Sequence, residues 1–246
     1  YTDFSETPAK IYLDPQGERT TVSIRATIAN TIRHFSMLKN TKDPFSIRDW
    51  VLSENASDEW LFLTCQTEQR KALNSLLSVW FSVALNAIKR RTPSQAKQKI
   101  WLIIDELHAL QKLEYLEESL AELRKYGGAI VLATQNISQV DKLYGQHSAR
   151  VILDQCSTKI SFRQSDADIA KRMSSFFGQQ EFKEIQEGLS YGAHEMRDGV
   201  NLSNIERTKP VVSPTKILTL PDLEAFIKLP GNWPALKTKF KYFKQN

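Results

Sequence analysis

The sequence contains no G-x-x-x-x-G-K-[ST] anywhere in its 246 residues. A loop of that form cradles phosphates with backbone N–H groups, so its absence removes the strongest single sign of a nucleotide site. Cysteine is scarce: Cys65 and Cys156 each close an apolar run. Two isolated thiols make neither a disulfide framework nor a metal site, and they read as buried free thiols of a reducing compartment. The four histidines show no ligand spacing, so no structural zinc is expected. No stretch of 18 or more apolar residues occurs, which leaves no candidate for a membrane span. No signal peptide is visible either. Nine glycines and nine prolines are too few for a linker or a fibrous protein. Charge is nearly balanced, with 33 Lys and Arg against 28 Asp and Glu, and the net +5 permits nucleic-acid contact without requiring it. The chain opens on Tyr1 rather than Met, as a fragment would, so an anchor or a phosphate loop could lie upstream.

What is present suits one sizeable globular domain with a small appendage: 41% hydrophobic and 25% charged residues. Residues 1–55 read as helical, with Val22, Ile24, Ile28, Ile32, Phe35 and Leu38 at three- and four-residue spacing and a second short helix opened by Asp43-Pro44. Residues 60–64 read as a buried strand. A long helix follows on the stripe Leu73, Leu76, Leu77, Trp80, Phe81, Ala84, Leu85 and Ile88, ending in the cations Lys89, Arg90 and Arg91. Residues 100–104 are the most apolar run and read as a central parallel strand. The next helix carries Leu107, Leu110, Leu113, Leu116, Leu120 and Leu123 and stops at Gly127-Gly128. Strands are expected at 129–133 and 158–162, helices at 137–153 and 166–177. Residues 178–210 look irregular, and 225–229 and 235–240 close the chain as two short strands. Alternation of this kind predicts an α/β fold with a mostly parallel sheet covered by helices on both faces.

Asp105 and Glu106 follow the central run directly. Ligands bind beyond the carboxyl ends of parallel strands. Two carboxylates there can do phosphoryl-transfer work, the first holding Mg²⁺ through water and the second orienting the attacking water. Equally, Asp105 could simply cap the helix that follows. Gln135 ends the next strand, where an amide can sense a γ-phosphate or hold a water; the plain alternative is a polar strand exit. Arg124, beside Lys125, complements a helix C-terminus, or it reaches a neighbouring subunit's nucleotide as a planar, always-charged finger. Arg163 could contact nucleotide at a subunit boundary, or pair in its loop with Asp166 or Asp168.

The run Trp101-Leu102-Ile103-Ile104-Asp105-Glu106-Leu107 is followed by Leu110-Gln111-Lys112-Leu113, Leu120-Ala121-Glu122-Leu123-Arg124-Lys125-Tyr126-Gly127-Gly128 and Ala133-Thr134-Gln135. In that order these resemble conjugative coupling proteins of the TraD/TrwB type, membrane-anchored hexameric ATPases that deliver DNA to type IV secretion machinery. Gln139-Val140, Leu143-Tyr144-Gly145, Ser190-Tyr191-Gly192-Ala193, Arg197-Asp198-Gly199-Val200, Leu220-Pro221-Asp222-Leu223 and Leu229-Pro230-Gly231 extend the likeness. Upstream, Phe45-Ser46-Ile47, Trp50 and Trp60-Leu61-Phe62 are similar to the exit from the family's all-α insertion. The resemblance implies a RecA-like motor domain over 57–246 without its phosphate loop, and a remnant of the all-α domain over 1–56. It implies ATP and Mg²⁺ as cofactors, with Asp105 and Glu106 as Walker B, Gln135 as sensor and Arg124 as trans-acting finger. DNA, relaxase, secretion components and a homo-hexamer are the implied partners, at the cytoplasmic side of the bacterial inner membrane. His108 departs from the small residue or proline of many relatives. Another RecA-like secretion or chromosome-translocation motor, or a non-catalytic docking platform for relaxase, are the competing readings.

Overall fold

The computed structural model describes residues 19–32, 42–53, 59–190 and 199–243. Phe35 and Leu38 of the expected first helix, and the stretch 191–198, lie outside the described residues. The chain divides into two compact units, Tyr1–Gln135 with Gln139–Ile152, and Asn136–Ser138 with Leu153–Asn246. No described helix is long and apolar enough to cross a membrane.

In the first unit, α1 (Arg19–Ile32) presents Val22 and Ile28 to solvent. The short helix α2 (Ile47–Leu52) starts at Ser46 rather than at Pro44, because the Ser46 hydroxyl accepts the Asp49 N–H at 3.2 Å. It buries Val51 against Leu85, Ala87 and Ile88 of α3 (Arg70–Ile88) and against Leu123. Residues 60–64, expected as a strand, are irregular. Among the described residues this run finds no strand to pair with, and Trp60 and Phe62 stack on each other in the open at 6.0 Å. The cations after α3 divide their duties. Lys89 pairs with Glu118 at 2.5 Å, whereas Arg91 is buried. Its guanidinium donates to the carbonyls of Gln95, Gln98 and Tyr126 at 2.5, 2.9 and 3.2 Å. A buried charge needs such partners.

Strands β1 (Ile100–Ile104) and β2 (Gly128–Leu132) run parallel, from Ile100 opposite Gly128 to Ile104 opposite Leu132. The leucine-rich connection is not one helix. It is a 3₁₀ turn (Leu107–Ala109), a loop, α4 (Leu116–Glu122) and a second 3₁₀ turn (Leu123–Tyr126). Backbone groups that a continuous helix would use are taken elsewhere: Leu107 N–H by the Ala133 carbonyl at 2.9 Å, Leu113 N–H by the Tyr144 hydroxyl at 3.2 Å. Four of the six leucines are buried nonetheless, and Leu110 and Leu120 are half-buried. Leu107, Leu113 and Leu116 join Ile104, Val140, Tyr144, Ala149 and Ile152 in one core. Each contributes about 1.5–3 kcal/mol of burial. The expected helix 137–153 is likewise two, α5 (Ile137–Tyr144) and α6 (Gln146–Gln155), broken at Gly145 with φ +85°.

The second unit holds β3 (Lys159–Ser161), α7 (Ala167–Phe176), β4 (Gln179–Ser190), β5 (Gly199–Pro210), α8 (Pro214–Leu218), β6 (Glu224–Lys228) and β7 (Leu236–Lys239). Asp166 caps α7 through the Asp168 and Ile169 N–H groups at 2.8 and 3.0 Å. Ser213 and Pro214 open α8. The strands pair antiparallel in the order β3–β6–β7, over a core of Ala170, Phe177, Val212, Ile217, Leu220 and Phe226. Residues 179–210, expected as irregular, form the long hairpin β4–β5. Cys65 and Cys156 are both free and half-buried. Burial pushes the Cys156 thiol up from its ordinary value, against the opposing effect of the nearby Lys159 charge.

Candidate functional site

Parallel pairing continues past the end of β1. The Ile104 carbonyl accepts the Ala133 N–H at 2.8 Å, and Leu107 N–H returns to the Ala133 carbonyl at 2.9 Å. These two bonds pin residues 105 and 106 to the exit of β2. Asp105 is exposed and Glu106 half-buried, its backbone extended at φ −139° and ψ 90°. Glu106 Oε1 accepts the backbone N–H of Gln135 at 3.3 Å. The acidic pair and Gln135 are therefore neighbours, although Gln135 makes this contact by its main chain and leaves its side chain exposed.

The capping alternative does not hold for Asp105. The residue at the cap of the 3₁₀ turn is Glu106, and it makes no side-chain cap bond. Among the described residues no group of three or more His, Cys, Asp or Glu is arranged to hold a metal ion by itself. One exposed carboxylate at a strand end does suit Mg²⁺, which keeps several waters and shares few protein ligands with phosphate oxygens. Asp105 and Glu106 thus stand together at the carboxyl end of β1, and the sequence holds no G-x-x-x-x-G-K-[ST] loop beside them.

A further group stands here that the spacing of residues did not single out. His108 Nδ1 approaches Glu106 Oε1 at 2.5 Å, with both side chains largely shielded. The approach is off the ring's N–H axis, so Nδ1, hidden from solvent, has no in-line hydrogen bond. A histidine three residues past an acidic strand end was the available signal.

Arg124 lies in the turn before β2, exposed, with no ion-pair partner for its guanidinium among the described residues. That turn is held from behind. Arg91 binds the Tyr126 carbonyl, and Gly127 N–H bonds back to the Arg124 carbonyl at 3.3 Å. Because the strands are parallel, Arg124 sits at the opposite end of the pair from Asp105 and Glu106. Five residues at roughly 3.3 Å each put about 16 Å between those ends. Arg163 belongs to the second unit. It pairs with Asp222 at 2.7 Å, rather than with Asp166 or Asp168, and reaches the Leu220 carbonyl at 3.5 Å.

Comparison with known proteins bears on this arrangement. The family model for the type IV secretion-system coupling protein DNA-binding domain matches residues 2–241. The coupling protein TraD of Escherichia coli K12 is 32% identical over 246 residues, covering 98% of this chain and 34% of that protein. VirD4 of Agrobacterium fabrum is 20% identical, over 74% of this chain and 27% of that protein. Among solved structures, the plasmid coupling protein TrwB in complex with ADP and Mg²⁺ superposes with a TM-score of 0.75 at 27% identity. The match takes in 92% of this chain and 49% of that one. A sulphate-bound form of TrwB gives 0.76 at 26% identity, over 96% and 53%. The chain therefore spans about a third of TraD's length and half of the TrwB chain, and shares their RecA-like α/β fold. With its acidic strand end, its parallel pair and a family match running almost end to end, the chain belongs to the type IV secretion-system coupling proteins.

Proposed function

We propose that the chain is the carboxy-terminal part of the motor domain of a hexameric, ATP-driven DNA translocase. In conjugation it would couple the DNA–relaxase complex to a type IV secretion channel, at the cytoplasmic side of the bacterial inner membrane with its anchor outside these residues. The observation that carries this reading is Glu106 held at the exit of β1, beside the exposed Asp105 and bonded to Gln135 N–H at 3.3 Å. That TrwB has been crystallised with ADP and Mg²⁺, and with a non-hydrolysable ATP analogue, supports ATP and Mg²⁺ as the cofactors. Residues 1–56 would be the remnant of an all-α domain and 57–246 the motor domain.

Mg²⁺-ATP, when bound, supplies a transferable γ-phosphoryl whose charge the metal partly neutralises. Asp105 would hold the metal. Glu106 orients the attacking water and accepts its proton. Gln135 would sense whether a γ-phosphate is present. Arg124 of a neighbouring subunit offsets the charge that develops on the phosphoryl oxygens. Arg163 would meet nucleotide at the boundary between subunits. To do so it must leave Asp222, and an exposed ion pair of that kind resists by under about 1 kcal/mol. DNA would be gripped mainly at its phosphates, without regard to sequence.

The direct test is E106Q in the full-length protein. Turnover falls by at least about a hundredfold while binding of a fluorescent ATP analogue is retained. The purified 246-residue chain serves as a low-turnover control, since no phosphate loop lies within it. An E106Q protein that hydrolyses ATP at the wild-type rate removes Glu106 from the chemistry and defeats the reading.

A further inference from the structure

We infer that His108 is a positioning residue for Glu106, fixing the direction in which its carboxylate faces water. The inference rests on the reading of Asp105 and Glu106 proposed above. An ionised carboxylate only accepts hydrogen bonds, so each group that approaches it must bring a hydrogen. Two such groups converge on one oxygen, Oε1: the Gln135 backbone N–H at 3.3 Å and the His108 Nδ1 at 2.5 Å. Among the described residues nothing is bonded to Oε2. One oxygen is thus anchored from two sides and the other is left for chemistry.

The anchor itself is rigid. His108 sits in the 3₁₀ turn Leu107–Ala109, whose first residue is buried and bonded to the Ala133 carbonyl at 2.9 Å. Gln135 lies two residues beyond Ala133 on the same strand exit. The carboxylate is therefore clamped between two segments already tied to each other. Nδ1 is hidden from solvent without an in-line hydrogen bond, which is unfavourable. Glu106 Oε1, 2.5 Å away, is the acceptor that a turn of the ring would bring into line with an Nδ1 hydrogen. Brought into line, that contact satisfies the ring and orients the acid. Rate depends steeply on such orientation, because a carboxylate misdirected by about 1 Å can cost up to a hundredfold.

Three substitutions in the full-length protein separate this from a packing role. H108N puts an amide N–H where Nδ1 stands, H108Q puts one where Nε2 stands, and H108A removes both. H108A and H108Q should lower kcat about tenfold, with KM and nucleotide Kd within about twofold of wild type. H108N should recover most of the lost rate. A second readout needs no nucleotide: urea unfolding of H108A, E106Q and the double variant should be non-additive, as for residues in contact. If E106Q is dead while H108A keeps the wild-type kcat, this inference falls and the reading of the acidic pair stands. Equal loss in all three His108 variants, a rate above wild type, or additive unfolding effects also overturn it. An active E106Q protein defeats both.

Discussion

A Cβ added to Gly127 would stand 2.5 Å from the Ala96 carbonyl oxygen, on a residue whose φ is +79°. Both facts forbid a side chain, the first by contact with backbone that cannot swing aside, the second by left-handed strain. Gly127 also gives its carbonyl to Ile100 N–H at 3.0 Å, where β1 begins. Gly127→Ala should therefore destabilise the chain by about 2–4 kcal/mol, read as a lower urea midpoint with unchanged slope. A loss under about 0.5 kcal/mol would mean the turn can shift, and Arg124 with it. This glycine was legible in the sequence, because a Gly pair after a leucine-rich stretch has a conformational cause. The end of β1 at Asp105 and Glu106 was legible for a similar reason: an apolar run stops there at two acids. His108 was not. Its one signal was its place just past an acidic strand end; the turn that ties residue 107 to residue 133 and sets it against Glu106 has no local mark in the sequence.

Elements were legible where one periodicity ruled and illegible where the backbone was drawn into distant bonds. The α3 stripe and the β1 run came through because burial on one side decides them. The leucines from 107 to 123 share helical spacing, yet a turn, a loop and a short helix deliver them to the core, since Ala133 and Tyr144 capture the backbone between. The β4–β5 hairpin was missed for the opposite reason. Among the residues whose side chains are described, none of the second unit's core comes from it, and Phe182, Ile185 and Leu189 do not alternate along the first strand. Described side chains near its base pair with each other instead: Arg207 with Glu184 at 3.0 Å, Lys209 over the Phe182 ring at 4.6 Å. Exposed pairs like these contribute little. The base is closed by Val211 N–H donating to the Gly178 carbonyl at 3.0 Å. Replacing residues 179–210 by a two-residue Asn-Gly turn should shift stability by less than about 1 kcal/mol. Thermal unfolding of the excised protein checks this. A large loss of Tm would mean that the arm packs on more than itself.

At the scale of the assembled protein the placement of Arg124 decides how subunits must cooperate. An arginine side chain cannot cover the roughly 16 Å of strand between its turn and the acidic end of the same chain. If Arg124 works on nucleotide, it works on the nucleotide of another copy, across a head-to-tail interface of the kind that closes rings. That arrangement has a signature no packing defect can imitate. R124A subunits keep Glu106 and lack the finger; E106Q subunits keep the finger and lack the acid. Rings of either alone should show less than about a tenth of wild-type DNA-stimulated hydrolysis. Random equimolar mixing restores an intact acid facing an intact finger at about a quarter of the interfaces. ATPase assays across mixing ratios should then rise to a maximum near equal parts and fall toward either end. A mixture that never exceeds its more active component would mean acid and finger do not meet between subunits, and Arg124 would then be only the positive end of a well-capped turn.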